Sequence, residues 1–187
     1  MRLFVAITPP EEIRQRLIRT MEQLKPLSRW PRWVRPERLH LTLKFLGDVE
    51  PEQLDAVVAA LREVRAARPI EIQFRGVGSF SKHDRPRVLW AGLRESEELA
   101  ALAASVERRM LALGFANEER EFSPHITLAR IQSPEGIDNL ARAAAAFASY
   151  DFGTMHVREF QLFQSTLRPT GAEYAWLRNF CFVQDAE

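Results

Sequence analysis

An internal repeat limits the possible folds of this chain more than any other feature. Residues 2–6 (RLFVA) resemble residues 87–91 (RVLWA), and residues 40–43 (HLTL) resemble residues 125–128 (HITL). Both matches have the same spacing of 85 residues, so the two regions align with each other without a gap. Self-similarity at one fixed spacing indicates a duplicated structural unit. We therefore expect two related halves within the chain.

The two halves have the same predicted order of elements, which is strand, helix, strand, helix, strand. Apolar residues at helical spacing predict helices at about 10–24, 52–67, 96–113 and 137–147. Short apolar or alternating runs predict strands at about 2–8, 39–46, 70–80, 88–93, 122–131, 155–164 and 173–182.

Residues 1–187 are expected to form a single bilobal domain, because no Gly/Ser linker or charge block separates the halves. The predicted fold class is α+β. Two lobes of antiparallel sheet plus helices are related by a pseudo-twofold axis, with the active cleft between them. The duplication is expected to cover about 1–85 and 86–170, followed by a closing strand at 171–187.

The charge balance limits the kinds of molecule that the protein is expected to bind. The 26 Lys and Arg residues almost cancel the 25 Asp and Glu residues, which leaves a formal net charge of +1. A protein that coats long polyanions normally carries a large positive charge, so any contact with nucleic acid must be local. One local candidate is the segment 28–38, which contains four arginines and two tryptophans. This segment either guides RNA into the cleft, or forms a solvated loop whose tryptophans cover the core.

Cysteine content and the N-terminal segment bear on the cellular compartment. The single cysteine, Cys181, cannot form an intramolecular disulfide and is expected to be a small core residue. The N-terminal segment has one short apolar run before Pro9 and Pro10, unlike a signal peptide or a membrane span. We expect a soluble cytoplasmic protein, a monomer with no membrane contact.

The repeated His-x-Thr pattern is the strongest functional signal. Side chains at positions i and i+2 of a strand point to the same face. His40 and Thr42 are therefore expected to project together, and so are His125 and Thr127. If a pseudo-twofold axis relates the halves, two imidazoles and two hydroxyls face each other across one cleft.

This set of groups suits the hydrolysis of a phosphodiester. A neutral imidazole can accept a proton from water while a protonated one donates a proton to the leaving oxygen. Hydroxyl groups can donate hydrogen bonds to the non-bridging phosphoryl oxygens. This chemistry needs no metal and no cofactor, and we expect none.

Other interpretations of the histidines remain open. A single histidine on an apolar strand is more often a structural residue, although two copies in register favour catalysis. A metal site would need further ligands, and no carboxylate recurs at matching positions of the two strands. A module that binds RNA ends without chemistry would not require two titrating imidazoles.

Two cations near the motifs are candidate phosphate ligands. Arg130 lies five residues after His125, so on a regular strand its side chain would face away from the histidine. The strand must end or bulge for Arg130 to reach a ligand; otherwise Arg130 is a surface residue. Lys44 has the same parity as His40, but a solvated strand end explains it equally well.

The segments around the two motifs resemble a known family. They are residues 2–7 (RLFVAI), 33–47 (WVRPERLHLTLKFLG), 122–130 (FSPHITLAR) and 165–174 (STLRPTGAEY). These segments are similar to the two-histidine phosphoesterases, in particular to the RNA 2′,3′-cyclic phosphodiesterase branch, long called 2′-5′ RNA ligases. The resemblance covers nearly the whole chain.

The resemblance implies metal-free hydrolysis of a 2′,3′-cyclic phosphate to a 2′-phosphate, on RNA termini or on nucleoside 2′,3′-cyclic phosphates. It implies that His40 donates a proton to the departing O3′ and that His125 accepts a proton from water. Thr42 and Thr127 match the hydroxyl positions that hold the phosphate, and the resemblance favours Arg130 as a further contact. The residues themselves do not distinguish acid from base, and they leave 2′-5′ ligation at the same cleft as an alternative.

Overall fold

The chain has the mixed α+β fold that the sequence predicts. A computed structural model describes residues 1–82, 85–133, 137–168 and 171–183. The strands are β1 (Arg2–Ile7), β2 (Pro31–Trp33), β3 (Leu41–Asp48), β4 (Ile70–Lys82), β5 (Arg85–Leu93), β6 (Ile126–Ile131), β7 (Asp151–Val157), β8 (Glu159–Arg168) and β9 (Gly171–Cys181). The α-helices are α1 (Glu11–Leu24), α2 (Leu54–Arg62), α3 (Glu97–Ala112) and α4 (Ile137–Ala145).

The helices begin and end where the local sequence dictates. Two acidic residues in the first turn of α1 stabilise the helix, because their negative charge interacts favourably with the positive N-terminal end of the helix dipole. The hydroxyl of Ser96 caps α3 by accepting a hydrogen bond from the backbone N–H of Leu99 at 3.2 Å. Gly114 follows α3 with a φ of +86°, a conformation that favours glycine. Within the described part of the chain, every helix is too short or too polar to cross a membrane.

The strands form one antiparallel sheet, whose main path has four strands on each side of its centre. The strand order is β7-β4-β5-β6-β3-β1-β8-β9, and β2 pairs with β6 beside this path. β3 and β6 meet in the middle through one pair, Leu41 opposite Ile126. These two residues are themselves separated by the repeat spacing of 85. The duplication stays a prediction, and this arrangement supports it.

Each side of the sheet contains strands from both predicted halves. β4 follows α2 in the first half, but it pairs with β5, the first strand of the second half. β8 is the last strand of the second half, but it pairs with β1. Each predicted half, 1–85 and 86–170, therefore pairs its last strand with the first strand of the other half, and the bilobal division stays a prediction. The predicted boundary falls in the β4–β5 hairpin, where His83 and Asp84 lie outside the described residues.

A corner at Arg158 curves the sheet. The sequence predicts one strand at 155–164, but the structure has β7 and β8 there, with Arg158 between them. β7 is the edge strand beside β4, whereas β8 pairs with β1 and β9 on the opposite side. Because one residue spans less than about 4 Å, these distant positions in the strand order must meet at the corner. The sheet therefore curves, so that its two sides approach each other at this corner.

One further strand boundary and the exposure of one residue differ from the sequence prediction. The strand predicted at 122–131 begins only at Ile126. Pro124 lacks a backbone N–H and cannot donate to a strand ladder, which is consistent with this late start. Cys181 is a free, exposed thiol rather than a core residue, because Phe180 and Phe182 on either side of it occupy the core.

Matching β-bulges occur in the two central strands. β3 skips Leu43 in its pairing with β1, and β6 skips Leu128 in its pairing with β5. The two skipped residues are 85 positions apart, directly after the threonine of each His-x-Thr motif. An extra residue on one strand reverses the alternation of side chains beyond it. The bulges therefore decide which side chains face the cleft beyond the motifs.

Lys44 is buried on the opposite face from the histidines, so both expectations for it are wrong. The parity argument fails because the Leu43 bulge turns Lys44 away from the cleft. Its side chain is 1% exposed, forms an ion pair with Glu107 at 2.7 Å and donates to the Ala116 carbonyl at 2.9 Å. Glu107 also accepts a hydrogen bond from the N–H of Glu118. The ion pair therefore ties β3 to α3, and the two hydrogen bonds tie both elements to the segment between α3 and β6.

Breaking this ion pair from the carboxylate side should destabilise the fold. Glu107→Gln leaves the buried ammonium of Lys44 without a counter-charge, at an expected cost of about 2 kcal/mol in the free energy of unfolding. Lys44→Met removes the buried charge itself and should cost less. Urea denaturation of both single variants and the double variant measures this. Equal stability of Glu107→Gln and the wild-type protein would contradict the assignment.

Candidate active site

The central strand pair places the two His-x-Thr motifs side by side. Leu41 and Ile126, the paired residues, are fully buried and point to the core. Their neighbours on both sides therefore point to the other face of the sheet. That face lines a cleft of about 460 Å³, and its lining includes all four predicted motif residues, His40, Thr42, His125 and Thr127.

Antiparallel pairing gives these four side chains a crossed arrangement. In an antiparallel pair, the residue before one partner lies opposite the residue after the other. The Leu41–Ile126 pair therefore places His40 opposite Thr127. The same pair directs Thr42 toward His125. Each imidazole therefore lies across from the hydroxyl of the other motif. Among the described residues, neither threonine hydroxyl has a hydrogen-bond partner, so both are available to a ligand.

A backbone carbonyl orients each imidazole in the same way. Nδ1 of His40 lies 2.6 Å from the carbonyl oxygen of Arg38, and Nδ1 of His125 lies 2.7 Å from that of Ser123. A carbonyl oxygen only accepts hydrogen bonds, so each Nδ1 must carry the proton and donate it. Nε2 is then left to accept or donate a proton in the cleft.

Aromatic rings hold the imidazoles from the side. The His40 ring lies 4.9 Å from Phe4 and 5.3 Å from Tyr174, and the His125 ring lies 4.8 Å from Phe80. Tyr174 falls within the last of the family-like segments, so its position is consistent with that resemblance. Nothing in the local sequence points to Phe80, because β4 comes from the other half of the chain.

The surroundings of the two histidines disfavour their charged forms. Burial lowers the pKa of His40, with the Arg38 carbonyl opposing it and the charges of His125 and Arg130 lowering it further. Burial likewise lowers the pKa of His125, with the Ser123 carbonyl opposing it and Arg130 lowering it. The neutral imidazole is therefore favoured in the empty cleft. An anion bound between the rings has the opposite effect, because negative charge favours the imidazolium form.

Arg130 faces the cleft because of the Leu128 bulge. The bulge reverses the alternation of β6, so Arg130 lies on the same face as His125 and lines the cleft with it. The matching position of the first half holds Phe45, which is 57% exposed and also lines the cleft. The related positions thus place a guanidinium in one half of the chain and an aromatic ring in the other. Contact between Arg130 and a ligand stays a prediction.

The described part of the chain offers no obvious metal site. Across residues 1–82, 85–133, 137–168 and 171–183, no three His, Cys, Asp or Glu side chains cluster closely enough to hold a metal ion. Pro169 and Thr170, within the last family-like segment, lie outside the described residues.

Comparison with known proteins identifies the family of this chain. The chain matches the LigT like Phosphoesterase family over residues 7–90 and again over residues 92–174. The protein belongs to this family. The two matched regions begin 85 residues apart, which supports the predicted duplication of this LigT-like phosphoesterase.

Relatives of this LigT-like phosphoesterase match over most of their length. An Archaeoglobus fulgidus protein named RNA 2′,3′-cyclic phosphodiesterase is 40% identical over 182 residues, which cover 96% of this chain and 99% of that protein. A Thermus thermophilus protein of the same name is 35% identical over 188 aligned positions, covering 96% of this chain and 89% of that protein.

Two solved structures have the same fold. A crystal structure of a Thermus thermophilus protein has a TM-score of 0.82 and 32% identity, covering 97% of this chain and 98% of that one. Escherichia coli LigT in complex with 3′-AMP has a TM-score of 0.79 and 28% identity, covering 98% of each chain.

Removing the charge of Arg130 should raise the pKa of both cleft histidines. The guanidinium lowers both pKa values, so Arg130→Gln should move the NMR titration midpoints of His40 and His125 to higher pH. His156, exposed on β7 beside Glu71, provides the reference signal. Midpoints that stay in place or fall would show that Arg130 does not act on the pair.

Proposed function

We propose that this protein hydrolyses the 2′,3′-cyclic phosphate ends of RNA, or nucleoside 2′,3′-cyclic phosphates, to 2′-phosphates. The crossed His-x-Thr arrangement carries the proposal, because it presents two Nε2 atoms and two free hydroxyls to one cleft. The relatives named RNA 2′,3′-cyclic phosphodiesterase support this substrate class. The complex of Escherichia coli LigT with 3′-AMP supports a nucleoside phosphate as the ligand.

The two imidazoles act as general base and general acid. Nε2 of His125 takes a proton from a water molecule, whose oxygen attacks the phosphorus. The bond from phosphorus to O3′ breaks, and protonated His40 gives its Nε2 proton to O3′. The product carries a 2′-phosphate and a 3′-hydroxyl. The family resemblance supports this order of roles, and proton exchange with solvent resets the pair.

The carbonyl hydrogen bonds prepare the imidazoles for these steps. Each Nδ1–H donates to a fixed carbonyl, at Arg38 for His40 and at Ser123 for His125. These bonds hold the tautomer whose Nε2 can accept a proton, and they stabilise the imidazolium that then forms. The ring orientation is thus set before substrate arrives, which reduces the reorganisation needed during reaction.

Thr42, Thr127 and Arg130 hold the phosphate. The two hydroxyls donate hydrogen bonds to non-bridging oxygens, where negative charge is concentrated in the transition state. Arg130 adds a positive charge on the same face of the cleft. The groups named require no metal or cofactor, so we propose a metal-independent reaction. We further propose that the enzyme acts in the cytoplasm as a monomer, which gel filtration can test.

Loss of either cleft histidine should abolish turnover. General acid or base catalysis by one side chain typically contributes about 10²–10⁴-fold, so His40→Ala and His125→Ala should each lose at least about 100-fold in kcat. The assay incubates an oligonucleotide with a 2′,3′-cyclic phosphate in EDTA and follows formation of the 2′-phosphate. His156→Ala, which removes an exposed histidine outside the cleft, is the matched control.

The same assay separates the alternatives. Substantial hydrolysis by the double variant His40→Ala/His125→Ala would reject the catalytic assignment. Activity lost in EDTA and restored by zinc would replace the proposal with a metal mechanism. Binding of the cyclic end without turnover would indicate a binding module. Adding an RNA with a 5′-hydroxyl tests for 2′-5′ ligation, which we expect to be minor because water is the more abundant nucleophile.

The pH profile of kcat/KM should be bell-shaped, with its maximum shifted to acidic pH. The profile of kcat/KM reports the free enzyme, in which both histidine pKa values are lowered from about 6.5, so its maximum should lie below about 6.5. The alkaline limb is loss of the donated proton. Bound phosphate favours the imidazolium, so this limb should lie at higher pH in kcat. A kcat/KM maximum above about pH 8 would exclude a histidine acid.

A further inference from the structure

Two arginines lie directly opposite each other at the rim of the cleft. Arg32 in β2 pairs with Arg130 in β6. Side chains of direct antiparallel partners lie on the same face, with Cβ atoms about 5 Å apart. Like charges in this position are destabilising. Both residues are exposed, and neither forms an ion pair or a hydrogen bond within the described part of the chain.

Neighbouring contacts fix the position of Arg32. Trp33, the next residue, is partly buried against the core. The N–H of Val34 donates to the carbonyl of Leu128 at 2.9 Å, and Leu128 is the bulged residue of β6. These contacts anchor β2, so the charge of Arg32 is held next to that of Arg130. The alternation of arginine and tryptophan thus serves both packing and surface charge.

The location of Arg32 places it just beyond the reacting centre. Val34, two residues further along the same face, lines the cleft, whereas Arg32 does not. Among the described residues, the cleft lining contains three arginines and no carboxylate: Arg2, Arg38 and Arg130. A polyanion that extends from the cleft past Arg130 therefore meets Arg32 next.

We propose that Arg32 binds the phosphodiester on the 5′ side of the terminal nucleotide and thereby favours RNA ends over mononucleotides. This inference rests on the proposed function, which places the cyclic phosphate between the histidines. The next negative charge along an RNA is one nucleotide upstream, within reach of an arginine beside Arg130. A phosphate there offsets the repulsion between Arg32 and Arg130. A mononucleoside cyclic phosphate has no such group.

A pair of dinucleotides tests the contact directly. Both end in a 2′,3′-cyclic phosphate, but one has an ordinary internal phosphodiester and the other a neutral methylphosphonate. The wild-type protein should prefer the charged dinucleotide about fivefold in kcat/KM at low salt, and Arg32→Gln should reduce this preference to about one. Arg19→Gln removes an exposed charge on α1, outside the cleft, and should keep the wild-type preference.

Binding measurements keep the two proposals separable. The same dinucleotides ending in a 2′-phosphate give an affinity ratio that needs no turnover, and it should show the same loss in Arg32→Gln. An unchanged preference in Arg32→Gln, or none in the wild-type protein, would overturn the role of Arg32 and leave the hydrolase intact. Absence of hydrolysis, with a binding preference that depends on Arg32, would overturn the hydrolase and retain the contact.

Discussion

The pairing of Leu41 with Ile126 is the contact on which the rest of the site depends. It joins the two sides of the sheet at its centre, and the polar residues that flank it form the floor of the cleft. Two buried apolar side chains therefore determine the relative position of two imidazoles and two hydroxyls. A shift of register by one residue would turn the motifs into the core, because strand side chains alternate between faces. Catalytic geometry and core packing thus depend on the same register.

The bulges at Leu43 and Leu128 give the cleft its second row of side chains. Without them, Lys44 would face the ligand and Arg130 would face away. With them, Lys44 instead pairs with Glu107 inside the protein, and Arg130 stands beside His125. The same local irregularity therefore places an ion pair on one face of the sheet and a cation in the cleft on the other.

Sequence reasoning predicted the parts of the structure that are local or repeated. The helices, most strands and the common face of His40 and Thr42 follow from residue periods of about 3.6 and 2. It did not predict the exchange of β4 and β8, because strand partners are chosen by packing far along the chain. It also misplaced Lys44, because nothing in an apolar run identifies which residue a bulge leaves unpaired. It also missed Phe80, because β4 contacts His125 through the strand pairing between the two halves.

The proposed reaction is asymmetric, although the two His-x-Thr motifs are arranged in the same way. In an in-line displacement the attacking water and the leaving O3′ lie on opposite sides of phosphorus, so each imidazole serves one of them. The resting pKa values do not choose the roles, since surroundings lower both. We infer that the orientation of the bound nucleotide would choose them, because Phe45 and Arg130, at related positions of the two predicted halves, make the two orientations unequal.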